Sequence, residues 1–252
     1  MVDFKQNLYM EEHDFAEAAE AMTAKERKGD IPTSEQISGI EVRLSRVLIK
    51  DNKTPRVGPF PGLARVYFLN FTASDLMEEH IQLDLKGFPK VDDGELLPVD
   101  RTLFYWKKEN DTSAVPSQIH IMTSLIKSKQ DLRNTGSVIS QVKEDEDYKS
   151  LAKELGSALK IATQVGNISN LIFGMAGIVG KYLGNVDDKP LLTMYQSFTD
   201  IGGDFNQLGR VDKPIENKYA GINLAIYIRD KERQKEADKM MMSSVATAGP
   251  LE

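Results

Sequence analysis

The sequence holds no cysteine. Disulfides, thiol nucleophiles and the thiolate ligands of most structural zinc sites are therefore excluded. Histidine is nearly as scarce. His13, His80 and His120 stand far apart, none four residues from another, so no helical pair of imidazole ligands exists. No Gly-x-Ser-x-Gly nucleophile elbow is present. Long apolar runs are missing too. The most apolar stretch, Ile168 to Leu183, falls short of the roughly 20 residues a spanning helix needs, and Ser169, Asn170, Lys181 and several glycines interrupt it. The opening residues, Met-Val-Asp-Phe-Lys-Gln-Asn, lack the basic-then-apolar order of a secretory leader, and a cytoplasmic location is the expectation. Positive charge is not in excess: Lys+Arg number 32 against 38 Asp+Glu, a net charge of -6, and the basic residues are scattered. A phosphate-backbone binder needs a clustered positive surface, so no nucleic-acid partner is expected.

What is present is an ordinary globular composition, 40% hydrophobic and 28% charged, in 252 residues. That is about the largest chain one hydrophobic core serves, which points to one domain with insertions. From Ile40 the apolar period is two. Ile40, Val42 and Leu44 alternate with Glu41 and Arg43, then Val47 and Ile49 continue in the opposite phase, so a bulge is expected at Ser45-Arg46. After a Pro/Gly-rich break, strands are expected at Leu63–Thr72, Ile81–Leu85, Leu103–Lys107, Gln118–Ile126, Leu191–Phe198 and Tyr219–Ile228, each bounded by turn residues.

Between the fifth and sixth of these strands the period changes to that of a helix. Leu151, Leu155, Ala158, Ala162, Val165, Ile168, Ile172, Met175, Val179 and Leu183 follow one another at steps of three or four. The acidic run Glu144 to Asp147 suits a helix N-terminus, and Lys181 followed by Gly184-Asn185 suits a C-terminus. Five internal glycines argue for a break near Gly166-Asn167, giving two helices or one bent helix. The core role of this stripe, laid against the sheet, is favoured over a membrane or partner role. Residues 11–28 also have high helix propensity, with a narrow face of Phe15, Ala18, Ala19 and Met22. The expected fold class is α+β: an antiparallel β-sandwich of about seven to eight strands with a long helical insertion and terminal arms. Residues 1–39 form the N-terminal helical arm, 40–229 the sandwich with its insertion at 128–186, and 230–252 the C-terminal tail.

Motifs for chemistry are weak. Gly174 to Lys181 resembles a phosphate loop, but Met175 stands where glycine is required and Tyr182 follows the lysine in place of a hydroxyl residue that binds magnesium. Asp51, Asp75, Asp92, Asp93, Asp187, Asp188, Asp200 and Asp204 fall at strand ends, where carboxylates from several loops could gather around a hard cation; ordinary turn aspartates explain most of them. No residue is assigned a catalytic, cofactor-binding or metal-ligating role, no cofactor is expected, and the chain is read as not an enzyme.

Ile40–Lys50 as an opening strand, Leu63–Thr72 after a Pro/Gly loop and Tyr219–Ile228 closing give an arrangement that resembles the calcium- and lipid-binding (C-two) β-sandwich domains over about half the chain. The resemblance implies a module that binds membranes or proteins, with or without calcium. The large helical insertion and the lack of paired Asp-x-Asp loops depart from that pattern. The first functional expectation is a non-enzymatic interaction or structural subunit with a protein partner or a second copy. A peripheral membrane module, with or without the assistance of calcium, comes second, and a carboxylate-based hydrolase third.

Overall fold

The seven stretches expected as strands become strands in the computed structural model, which describes residues 2–10, 37–55, 57–58, 62–110, 112–129, 131–161, 165–183, 189–206 and 208–230. In chain order the elements are β1 (Leu8–Met10), β2 (Ile37–Ile49), β3 (Ala64–Ser74), β4 (Ile81–Val91), β5 (Arg101–Lys107), β6 (Gln118–Ser128), α1 (Thr135–Glu144), α2 (Glu146–Ala158), α3 (Val165–Leu183), β7 (Lys189–Thr199), β8 (Gly209–Glu216) and β9 (Ala220–Asp230). The strands form a five-stranded sheet in the order β1-β7-β6-β3-β4 and a four-stranded sheet in the order β5-β2-β9-β8. All pairings between these strands are antiparallel except that of β1 with β7.

The two sheets face each other across a core that includes Val42, Leu44, Phe68, Ile121, Phe198 and Ile226. The alternate residues of the five-stranded sheet point the other way, where Tyr67, Leu69, Phe71, Met122 and Tyr195 pack with the three helices. The architecture is therefore three layers: helices, five strands, four strands. Burial on both faces explains why β3 and β6 read as nearly continuous apolar or small residues, whereas β9 alternates. The register of β2 on β9 slips between Leu44 and Arg46, at the position where the sequence changes phase.

The helical stripe lies on the sheet as expected. Leu155, Ala158, Ile168, Ile172, Met175, Val179 and Leu183 are buried, the larger ones each contributing roughly 1.5–3 kcal/mol relative to exposure. The stripe belongs to two helices, and the break precedes Gly166: α2 ends at Ala158 and α3 begins at Val165. Asp145 starts α2 by accepting from the backbone N–H groups of Asp147 and Tyr148 at 3.0 and 3.1 Å, and its second oxygen accepts from the Tyr182 hydroxyl at 2.8 Å. One carboxylate thus caps α2 and ties it to the end of α3. These hydrogen bonds, that of Tyr182 first, hold the Asp145 carboxyl below its ordinary pKa.

Two expectations need correction. Residues 2–10 are not part of a helical arm: Val2 and Phe4 are buried beside α3, and β1 adds a parallel edge strand. β2 already begins at Ile37, and Asp230 closes β9, fully buried, so both boundaries of the sandwich lie further out than the apolar alternation suggested. The nine strands among the described residues are roughly the number expected, the additional ones being β1 and β8, which carry little pattern of their own. The helix expected at 11–28 and the tail beyond Asp230 lie outside the described residues.

Candidate functional site

A groove of about 650 Å³ lies between the segment after the N-terminus and the outer side of α3. One wall is Val2 and Phe4, held down because Gly180 has no side chain; a Cβ there would come within 3.1 Å of Val2 and 3.3 Å of Phe4. The other wall is Phe173, Gly177 and Ile178. Asp3, Lys5, Asp147 and Lys181 stand around it, two charges of each sign. The geometry follows from helical spacing. Ile172, Met175 and Val179 face the sheet, which turns Gly174, Gly177 and Lys181 outward. At Gly177, apart from the adjoining residues and the backbone of its own helix turn, no described atom lies within 4 Å of where a Cβ would sit.

Under the groove runs a buried polar chain. The Phe173 ring packs on Tyr195, with centroids 5.9 Å apart. The Tyr195 hydroxyl meets Nδ1 of His120 at 2.9 Å, Nε2 of His120 meets Oε1 of Gln118 at 3.0 Å, and Nε2 of Gln118 donates to the carbonyl of Leu159 at 2.5 Å. The carbonyl only accepts, so the direction of every bond is fixed. Gln118 turns its oxygen to His120, Nε2 of the imidazole carries the proton, and Nδ1 accepts from Tyr195. His120 is fully buried, and that burial drives its pKa down to about 3, against a weaker upward pull from Asp75. A neutral imidazole with both nitrogens satisfied is a structural device here.

The residues singled out by sequence are distributed otherwise. His13 lies outside the described residues. His80 sits at the β3–β4 turn with φ 58°, its ring against Gly156 of α2. Asp75 accepts from the backbone N–H and hydroxyl of Ser117 at 3.0 and 2.7 Å, and Asp204 accepts from the Thr199 N–H at 2.8 Å, at the same end of the sandwich. Asp51, Asp92 and Asp93 meet at the opposite end, while Asp187 and Asp188 lie outside the described residues. There Asp51 accepts from the Lys53 N–H at 2.7 Å, Asp93 from the Asn52 N–H at 2.8 Å, and Asp92 from the Asp93 N–H at 2.8 Å. Among the described residues no group of three or more His, Asp or Glu is placed to hold a metal ion. The cation between these loops is an ammonium: Lys127 Nζ donates to the Lys53 carbonyl and the Thr54 hydroxyl, both at 2.8 Å.

Sequence reasoning did not single out Lys53, Lys127, Lys218 or Tyr219, which the loops bring together. Widely separated in the chain and carried on different loops and strands, they leave no local pattern. The outward place of Gly177 was open to a helical-wheel count once the sheet-facing residues were known.

The described chain thus belongs to the class of three-layer α/β/β sandwiches with an apolar surface groove on the helical layer. Comparison with protein-family models, curated proteins and solved structures finds no match. Among the described residues, no helix is long and apolar enough to cross a membrane.

Proposed function

We propose that this chain is a non-enzymatic interaction subunit that receives a short apolar segment of a partner protein in the groove between residues 2–5 and α3. Gly177 carries the reading. A glycine inside a helix sacrifices roughly 1 kcal/mol relative to alanine, and at this half-buried position no neighbour in the described structure requires it. A segment that approaches the helix backbone closely would require it. The volume, about 650 Å³, falls in the range of sites that enclose a compact ligand or a few side chains. Ten lining residues are too few for a globular face, since a stable interface uses roughly 20–30 residues a side. The occupant is therefore a segment and not a second folded surface. Charges of both signs around the groove, Asp3 and Asp147 with Lys5 and Lys181, favour a segment flanked by both signs.

The test is selection of random displayed peptides against the full chain, followed by titration of the selected peptides into wild type, Gly177→Ala and Gly177→Leu. Peptides with apolar anchors that bind wild type in the micromolar range and lose about 10-fold or more with Gly177→Leu support the reading. Binding indifferent to Gly177→Leu, or no selectable peptide at all, overturns it. Chemical-shift mapping on the wild type places the peptide independently of the variants.

A further inference from the structure

The end of the sandwich where β2 leaves the sheet and the β8–β9 hairpin turns brings two lysines onto one tyrosine ring, in a chain of net charge -6. Lys53 Nζ lies 3.6 Å from the centroid of the Tyr219 ring, and Lys218 Nζ lies 4.9 Å from it. A cation over a tyrosine ring is favourable, but two on one ring repel each other. Among the described residues no carboxylate pairs with either. Asp51 is occupied by the Lys53 backbone N–H, Asp93 accepts from Asn52, and Glu216 is paired with Lys50 at 2.8 Å. Lys127, a third ammonium, is anchored directly behind, on the Lys53 carbonyl.

The two loops that carry these groups are rigidly joined. The Tyr219 carbonyl accepts from the backbone N–H groups of Lys50 and Asp51 at 2.8 and 3.0 Å, and its own N–H donates to Asn217 Oδ1 at 2.8 Å. Asn52 is fully buried; its amide donates to the carbonyls of Gly62 and Val91 at 2.6 and 2.9 Å, and its oxygen accepts from the Thr54 N–H at 2.7 Å. Lys53 itself is held in the left-handed region, φ 57°. Such fixation places the Lys53 backbone, the Tyr219 ring and the Lys218 backbone before any ligand arrives, which lowers the ordering cost of binding.

We infer that Lys53, Lys218 and the Tyr219 hydroxyl form a site for a phosphoryl oxyanion, the two ammonium groups neutralising its charge and the phenol donating a hydrogen bond. The lowered pKa of Tyr219, caused first by its hydrogen bond with Lys218, accords with a positive local potential. The sign is opposite to that of the cation site which aspartates at strand ends suggest. The same chemistry would serve a free phosphate ester or a phosphorylated lipid headgroup, and this site is separate from the groove on α3.

Two arms test it, both with the full chain. In the first, inorganic phosphate is titrated against chloride at constant ionic strength while the amide resonances of Lys53, Lys218 and Tyr219 are followed. In the second, co-sedimentation compares phosphatidylcholine vesicles with and without a phosphoinositide. The expected result is saturable shifts at those three amides at about 10 mM phosphate or below, weakened about 10-fold in Lys53→Asn/Lys218→Gln. Asparagine at position 53 tolerates the left-handed backbone, and unchanged amide spectra elsewhere confirm the fold. Phosphoinositide-dependent sedimentation lost in the double variant assigns the headgroup as source; phosphate binding alone assigns a free ester. Neither arm giving binding, or binding unaltered in the double variant, overturns the inference.

Discussion

Acidification should destabilise this protein through one buried imidazole. His120 is enclosed between Tyr195 and Gln118, and its pKa in the folded chain is about 3 against an ordinary value of 6.5. The folded state therefore binds fewer protons than the unfolded chain between those two values. The contribution of the neutral ring is fully present above pH 6.5 and is lost as the pH falls towards about 3. At 1.36 kcal/mol per tenfold in proton affinity, the whole difference is on the order of 5 kcal/mol. Between about pH 6 and 4 one extra proton on the unfolded chain gives a slope of about 1.4 kcal/mol per pH unit. Carboxylates also titrate over part of this interval, so the relevant quantity is a difference between two proteins. Urea unfolding of wild type and His120→Gln at a series of pH values should show the wild type steeper by that amount, with the variant less stable at neutral pH because Tyr195 and Gln118 lose a shared partner. Imidazole resonances of the wild type provide a second readout. A His120 ring that titrates near 6.5, or equal slopes in the two proteins, would refute the reasoning.

The other expectations concern packing and loop anchoring. Gly156→Ala should destabilise by about 1–3 kcal/mol despite the better helix propensity of alanine, since its Cβ would come within 2.6 Å of the His80 ring, itself held at the β3–β4 turn; Gly177→Ala, with open space, should gain up to about 1 kcal/mol. Thermal and denaturant unfolding separate these two signs. Asp75→Ala removes a carboxylate that accepts from the backbone N–H and hydroxyl of Ser117, so a loss of about 2–4 kcal/mol in urea unfolding is expected, with Asp75→Asn recovering part of it. A loss below about 0.5 kcal/mol would show that water replaces these bonds at the turn.

Local pattern accounts for most of the architecture and almost none of the candidate sites. The phase slip at Ser45-Arg46 was legible because a sheet face repeats every second residue, and a bulge shifts that repeat by one. α1 was not legible, since TGSVISQVKE buries only Val138 and Val142 and so lacks a sustained stripe. β8 escaped for a related reason: only Ile215 in it is fully buried, and Pro214 is tolerated on an edge strand. The aspartates at strand ends were visible as residue types, but their hydrogen bonds to loop N–H groups depend on turns that the sequence marks only by composition.

The sequence by itself determined the strands and helices that bury a periodic face, the order in which they occur, and the exclusion of thiol and histidine-pair chemistry. Tertiary structure decided which faces meet: that the five-stranded sheet is covered on both sides, that Gly177 looks outward, and that Lys53 and Lys218 converge on Tyr219. The physical reason is range. Periodicity is imposed by the backbone geometry of a few consecutive residues, whereas a site built from lysines on separate loops exists only once long-range pairing has brought those loops together.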